Sequence, residues 1–166
     1  MDKNQYIEII NQNRNLIYKI CRSFCADEED RKDLEQEILI KIWNGLERFD
    51  GQVKISTWIY RVALNTAISY YRVEKKRRYK ISLDTDIFFL SDASDTDAEY
   101  RQREESLYRF IEELRELDKA LILLYLDDIK QSEISSILGI TETNVATKIN
   151  RIKKQLKEKF EQLKTE

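Results

Sequence analysis

Histidine and proline are both missing from this 166-residue chain, and only three glycines occur (Gly45, Gly51 and Gly139). Without histidine there are no imidazole general bases, no Ser-His-Asp or Cys-His nucleophile systems, and no metal site that needs an imidazole ligand. Without proline, and with long stretches rich in Leu, Ile, Lys, Glu and Arg between the few glycines, the chain reads as all-α. Cysteine is scarce too. Cys21 and Cys25 stand four apart on one predicted helix, with no further sulfur to complete a tetrahedral site, so they read as small buried apolar residues, a redox role being the alternative. No metal and no cofactor is implied. The N-terminus alternates charged and apolar residues, with no signal peptide, lipidation motif or transmembrane run, which predicts a cytoplasmic protein that does not insert into a membrane.

The formal net charge of −2 hides an uneven distribution. Residues 1–81 hold 16 basic and 12 acidic side chains, residues 82–105 hold 2 and 8, and residues 106–166 hold 11 of each. Two basic regions therefore flank an acidic connector, and the overall balance does not argue against a nucleic-acid partner.

Apolar residues Ile7, Ile10, Leu16, Ile17, Ile20 and Phe24 predict a first helical segment with an interruption around Asn11 to Asn15. The acidic cluster Asp27 to Asp30 marks a turn and the negative first turn of the next helix. Leu34, Ile38, Ile42 and Leu46 then form a helical stripe that ends near Phe49, before the stop at Asp50-Gly51. A third long helix is expected from Ser56 or Thr57. It carries Trp58, Ile59, Tyr60, Arg61 and Asn65, then Tyr70, Tyr71, Arg72 and the run Lys75, Lys76, Arg77, Arg78. Aromatics, one amide and dense positive charge on one helix suit a phosphate backbone and unstacked bases. A solvated amphipathic helix is the plainer alternative. Residues 82–99 lose the periodicity around the apolar tetrad Ile87-Phe88-Phe89-Leu90, and helical spacing resumes near Tyr100 through Leu107, Ile111, Leu114, Leu117, Leu121, Leu124 and Tyr125.

From Gln131 to Lys159 the pattern is that of a helix-turn-helix. Ile134, Ile137 and Leu138 line a short helix, Gly139 supplies the turn, and Thr141 offers a capping hydroxyl. A second helix follows with Val145, Ile149, Ile152, Leu156 and Phe160 inside and Lys148, Arg151, Lys153, Lys154 and Lys157 outside. Small Ser135 lets the two helices cross closely. An ordinary helical hairpin with a basic surface is the alternative.

Asp33-Leu34, Gln36-Glu37, Trp43, Phe49 and Gly51, then Thr57-Trp58-Ile59-Tyr60-Arg61-Val62-Ala63 and Asn65-Thr66-Ala67-Ile68, resemble region 2 of bacterial sigma factors, in particular the extracytoplasmic-function group. The C-terminal helix-turn-helix resembles their region 4. The resemblance implies two small helical domains joined by a flexible acidic linker: a region 2 domain over 1–81, the linker over 82–99, and a region 4 domain over 100–166. It further implies a dissociable, non-enzymatic subunit of RNA polymerase that selects promoters and helps melt the minus-ten element.

Site residues follow from the same resemblance. Asp33, Gln36, Glu37, Ile40 and Trp43 would meet the beta-prime clamp of core polymerase. Asn65 would pocket an unstacked minus-ten base beside Trp58, while Arg61, Arg72, Lys75, Lys76, Arg77 and Arg78 would hold the DNA backbone. Thr141, Thr143, Asn144, Thr147, Lys148, Arg151 and Lys154 would meet the minus-thirty-five element. The beta flap of the polymerase, and an anti-sigma factor or DNA-bound recruiting factor, complete the implied partners.

The chain departs from the family pattern at Ala146, Asn150, Lys130 and Glu142. Each lowers the positive charge or the capping expected of the helix-turn-helix, so weak upstream-element affinity is expected. A stand-alone helix-turn-helix regulator is the competing function. It would have no need of the polar face over residues 33–43.

Overall fold

In the computed structural model of the protein, residues 1–81 and 98–165 are described, with side chains of the first stretch as far as Arg77. Eight helices are present among the described residues, and no strand: α1 (Lys3–Gln12), α2 (Arg14–Phe24), α3 (Glu28–Leu46), α4 (Ile55–Ile81), α5 (Ala98–Glu112), α6 (Glu116–Leu126), α7 (Gln131–Leu138) and α8 (Glu142–Leu163). The tetrad Ile87 to Leu90, and the expected linker as far as Asp97, lie outside the described residues.

The helix boundaries have local causes. Asp2 and Gln5 form a reciprocal capping box at the start of α1. The expected interruption falls at Asn13, whose side-chain amide donates to the Ile9 carbonyl at 2.8 Å and closes α1. Asp27 caps α3 by accepting from the Asp30 amide at 3.1 Å, with Glu28, Glu29 and Asp30 in the first turn. α3 stops at Leu46, three residues short of Phe49, because Arg48 and Phe49 turn back to the Gly45 and Leu46 carbonyls. α4 starts at Ile55, one residue before the expected start.

Helices α1–α4 form a first unit in which the stripe Leu34, Ile38, Ile42 and Leu46 is wholly buried against Ile17, Ile20, Ile59, Ala63 and Leu64. Helices α5–α8 form a second, built on Ile111, Leu121, Leu124, Ile134, Val145, Ile149 and Ile152. The units are docked: α6 touches α2 and α4, α5 touches α2, and α7 touches α4, so the buried side chains form one continuous cluster.

Gly45 marks the closest approach within the first unit. A Cβ there would lie 2.7 and 2.9 Å from two ring carbons of Trp58, so the indole of α4 lies directly over the α3 backbone. Gly45→Ala is expected to destabilise the protein by about 1–3 kcal/mol through overpacking. Thermal unfolding with tryptophan fluorescence checks this. An unchanged midpoint and spectrum would mean that the indole is free to move aside.

Candidate nucleic-acid interface

The α3 face carries Asp33 and Gln36 in the open, with Glu37 partly exposed and tied to Lys41 at 2.9 Å one turn on. Ile40 is 60% exposed on the same helix, too open for a core residue. Trp43 is half-buried and meets Tyr6 edge to face at 5.2 Å. Among the described residues, no helix of the second unit packs on α3. An exposed isoleucine among acids and an amide is a surface suited to a protein partner.

α4 is arranged differently. Trp58, expected beside the minus-ten base pocket, is half-buried against Phe49, with ring centroids 5.4 Å apart. Asn65 is exposed, as are Arg72, Lys75, Lys76 and Arg77, while the Arg78 side chain lies outside the described residues. Towards its N-terminus α4 is covered by the second unit. Thr57 donates to the Glu133 carboxylate and Tyr60 donates to Asp127. The Arg61 guanidinium reaches the Ser136 carbonyl at 3.3 Å, and Arg72 meets Glu116 at 3.4 Å. Asp127 also accepts from Lys19 of α2 at 2.7 Å.

The helix-turn-helix has the expected geometry. Gly139 is left-handed at φ 68°, and the Ser135 hydroxyl donates to the Ile140 carbonyl across the turn. The Thr141 hydroxyl accepts from the Asn144 amide at 3.2 Å, so Thr141 caps α8. Lys130, at the N-cap of α7, makes no side-chain capping bond. Thr143, Asn144, Thr147 and Lys154 are exposed on α8, and Lys148 is half-buried. Arg151 is exposed but bound to the buried carboxylate of Asp118 at 2.7 Å.

Comparison with known proteins places both units. Residues 9–77 match the family model of Sigma-70 region 2, and residues 104–156 match that of Sigma-70, region 4. RNA polymerase sigma factor YlaC of Bacillus subtilis (strain 168) is 32% identical over 140 residues, spanning 78% of this chain and 76% of that protein. The chain belongs to the sigma factors of RNA polymerase, in their extracytoplasmic-function group. ECF RNA polymerase sigma factor SigW of the same organism is 27% identical over 175 residues, covering 98% of this chain and 92% of that one. In fold, this sigma factor is similar to the solved structure of CnrH in complex with the cytosolic domain of CnrY, at TM-score 0.70 and 19% identity over 96% of this chain and 90% of that one. It is also similar to the sigma factor RpoE in complex with the anti-sigma factor NepR from Bartonella quintana, at TM-score 0.69 and 16% identity over 93% and 95% of the two chains. A stand-alone helix-turn-helix regulator does not account for the region 2 match.

Sequence reasoning missed the residues that join the two units of this sigma factor: Lys19, Glu116, Lys119, Asp127 and Glu133. Lys119 is the least expected. It is 1% exposed, its ammonium 4.3 Å from the Tyr71 ring centroid and 5.4 Å from that of Phe24, both in the first unit. Burial pulls its pKa down to about 8, against the opposing pull of Glu112, Cys25 and Glu116, while Lys75 lowers it further. Other buried groups move upward: burial pushes the Cys21 thiol to about 12, and burial with the Asp127 bond raises the Tyr60 phenol. The available signal was the run Ala-Leu-Ile-Leu-Leu-Tyr-Leu after Lys119, which is too apolar for a helix with a wet face.

A lysine pKa lowered by folding means that the folded state holds fewer protons, so its stability grows as pH rises through about 8 towards the unfolded value of 10.5. Cys21 and Tyr60 act in the opposite sense, but only above their unfolded values of 9.0 and 10.0. Between pH 7.5 and 9 the wild type should gain thermal stability that Lys119→Met does not, and Lys119→Met should unfold at the higher temperature at pH 7. Melting curves across that range check both. A lower midpoint for Lys119→Met would mean that the ring contacts outweigh the cost of burying the charge.

Proposed function

We propose that this protein is a dissociable sigma subunit that binds core RNA polymerase, directs it to specific promoters and helps melt the minus-ten element to begin transcription. The observation that carries the reading is the pairing of two matched regions, in order, with an open acidic-apolar face on α3 and a basic aromatic helix α4. It acts as a binding subunit, not an enzyme, and works in the cytoplasm. Among the described residues no helix is long and apolar enough to cross a membrane.

The division of labour follows from exposure. Asp33, Gln36, Glu37 and Ile40 contact the clamp of the polymerase, with Trp43 stiffening that face from its seat on Tyr6. Asn65 takes the edge of an unstacked minus-ten base, since one amide both donates and accepts. Arg61, Arg72 and the run from Lys75 hold phosphates. The minus-thirty-five contact is the weaker one. Thr143, Asn144 and Thr147 are free to face a major groove, but Thr141 is committed to its cap and Arg151 to Asp118.

Asp33→Ala with Glu37→Ala should weaken binding to core polymerase while leaving the melting temperature within a degree or two, because both side chains lie outside the buried stripe. Titration with core enzyme checks it, and unchanged affinity would remove α3 from the interface. Asn65→Ala should impair strand opening more than closed-complex binding, by about 1–3 kcal/mol. Permanganate reactivity of the minus-ten thymines reads this directly. Normal reactivity in the mutant would exclude Asn65 from the base pocket.

A further inference from the structure

Asp118 stands in the first turn of α6 with its side chain only 10% exposed, and its carboxylate takes the Arg151 guanidinium of α8 at 2.7 Å. α6 is buried from Asp118 to Leu124, so this carboxylate is fixed in place, whereas about half of the Arg151 side chain is in solvent. Arg151 lies one helical turn after Thr147, beside the outer face that carries Thr143, Asn144 and Thr147. A cation there would be within reach of a phosphate while those residues face a groove. A carboxylate at hydrogen-bond distance cancels that charge for any phosphate further out. Lys153 is drawn inward as well, its ammonium 5.1 Å from the Tyr125 ring centroid. We propose that Asp118 sets the strength of the minus-thirty-five contact: by neutralising Arg151 it withholds one sequence-independent phosphate contact, and leaves α8 to meet DNA through the uncharged Thr143, Asn144 and Thr147. The proposal rests on the reading of α8 as the helix that faces the minus-thirty-five element.

A purely anchoring role would behave differently. Asp118 also suits the positive end of α6, and a pair that only fastened α8 to α6 would change stability when broken. It would not change how many phosphates the protein neutralises. That number is read from the salt dependence of duplex binding, because each neutralised phosphate contributes about 0.9 to the slope of log affinity against log salt. Asp118→Asn keeps the shape of the buried side chain and removes its charge. Even where the amide still accepts from Arg151, the guanidinium then presents an uncancelled positive charge to DNA.

The experiment titrates the full chain with a fluorescent mixed-sequence DNA duplex at several salt concentrations, with thermal unfolding on the same samples. Asp118→Asn should steepen the slope by about 0.9 and bind roughly eightfold more tightly at about 0.1 M salt. Asp118→Asn with Arg151→Ala should return both to wild-type values. Glu8→Gln adds the same net charge on the exposed side of α1 and should move neither. An unchanged slope in folded Asp118→Asn would overturn the proposal, as would an equal gain in Glu8→Gln or a gain that survives the loss of Arg151. Arg151→Ala alone, at an exposed position that does not threaten the fold, keeps the test open if Asp118→Asn unfolds. A slope shallower by about 0.9 in that variant means that Arg151 already holds a phosphate, which overturns the proposal, whereas an unchanged slope supports it. Lys154→Ala separates this from the underlying reading. An unchanged slope there rejects α8 as the DNA-facing helix and the proposal with it, whereas a shallower slope there with no change in Asp118→Asn rejects only the role of Asp118.

Discussion

Seven consecutive residues of α6, from Asp118 to Leu124, are buried, and an α-helix can be buried over so long a run only if it has neighbours on every side. α8 and α7 cover it from within its own unit, and α2 and α4 cover it from the other. Each fully buried leucine or isoleucine contributes about 1.5–3 kcal/mol, whereas half-exposed ion pairs such as Lys19–Asp127 contribute about 0–1 kcal/mol. Apolar contact around α6 therefore brings the units together. The polar contacts of Asp127, Glu133 and Glu116 fix how α6 and α7 sit on α4. Lys119 shows how strong the apolar demand is, because the helix buries an ammonium between two rings rather than leave the position wet.

This packing sorts the proposed contact surfaces by accessibility. The α3 face, with Asp33, Gln36, Glu37 and Ile40, is open and touched by none of the second unit's helices. The N-terminal part of α4 is covered, while its basic C-terminal part, with Lys75, Lys76 and Arg77, is exposed. On α8 Thr143, Thr147 and Asn144 are exposed, but Arg151 is held by Asp118. The face proposed for core polymerase is thus open, while part of the face proposed for minus-ten DNA is covered by the second unit.

The sequence disclosed whatever is governed by local periodicity and capping. The stripe from Leu34 to Leu46 is the core of α3, Gly139 and Thr141 make the turn and the cap, and Asn13 interrupts the first segment where the cluster of asparagines lies. The two family motifs were legible for the same reason, as each is a contiguous run. Contacts between the units were not legible. Tyr60 and Asp127 are 67 residues apart and Thr57 and Glu133 are 76 apart, and nothing local in either segment specifies its partner. Arg61 and Arg151 looked like free cations because charge on a helix face says nothing about a carboxylate or carbonyl from elsewhere. The one long-range hint was compositional: a helix as apolar as α6 has to be enclosed.

Transcription reconstituted from purified core RNA polymerase, with and without this protein, on a set of genomic promoter fragments tests the central claim most directly. A promoter-selecting sigma subunit gives promoter-specific transcripts that appear only when the protein is added and that vanish when core enzyme is withheld. Transcription no different from that of core enzyme alone, across a library that covers the genome, would contradict it.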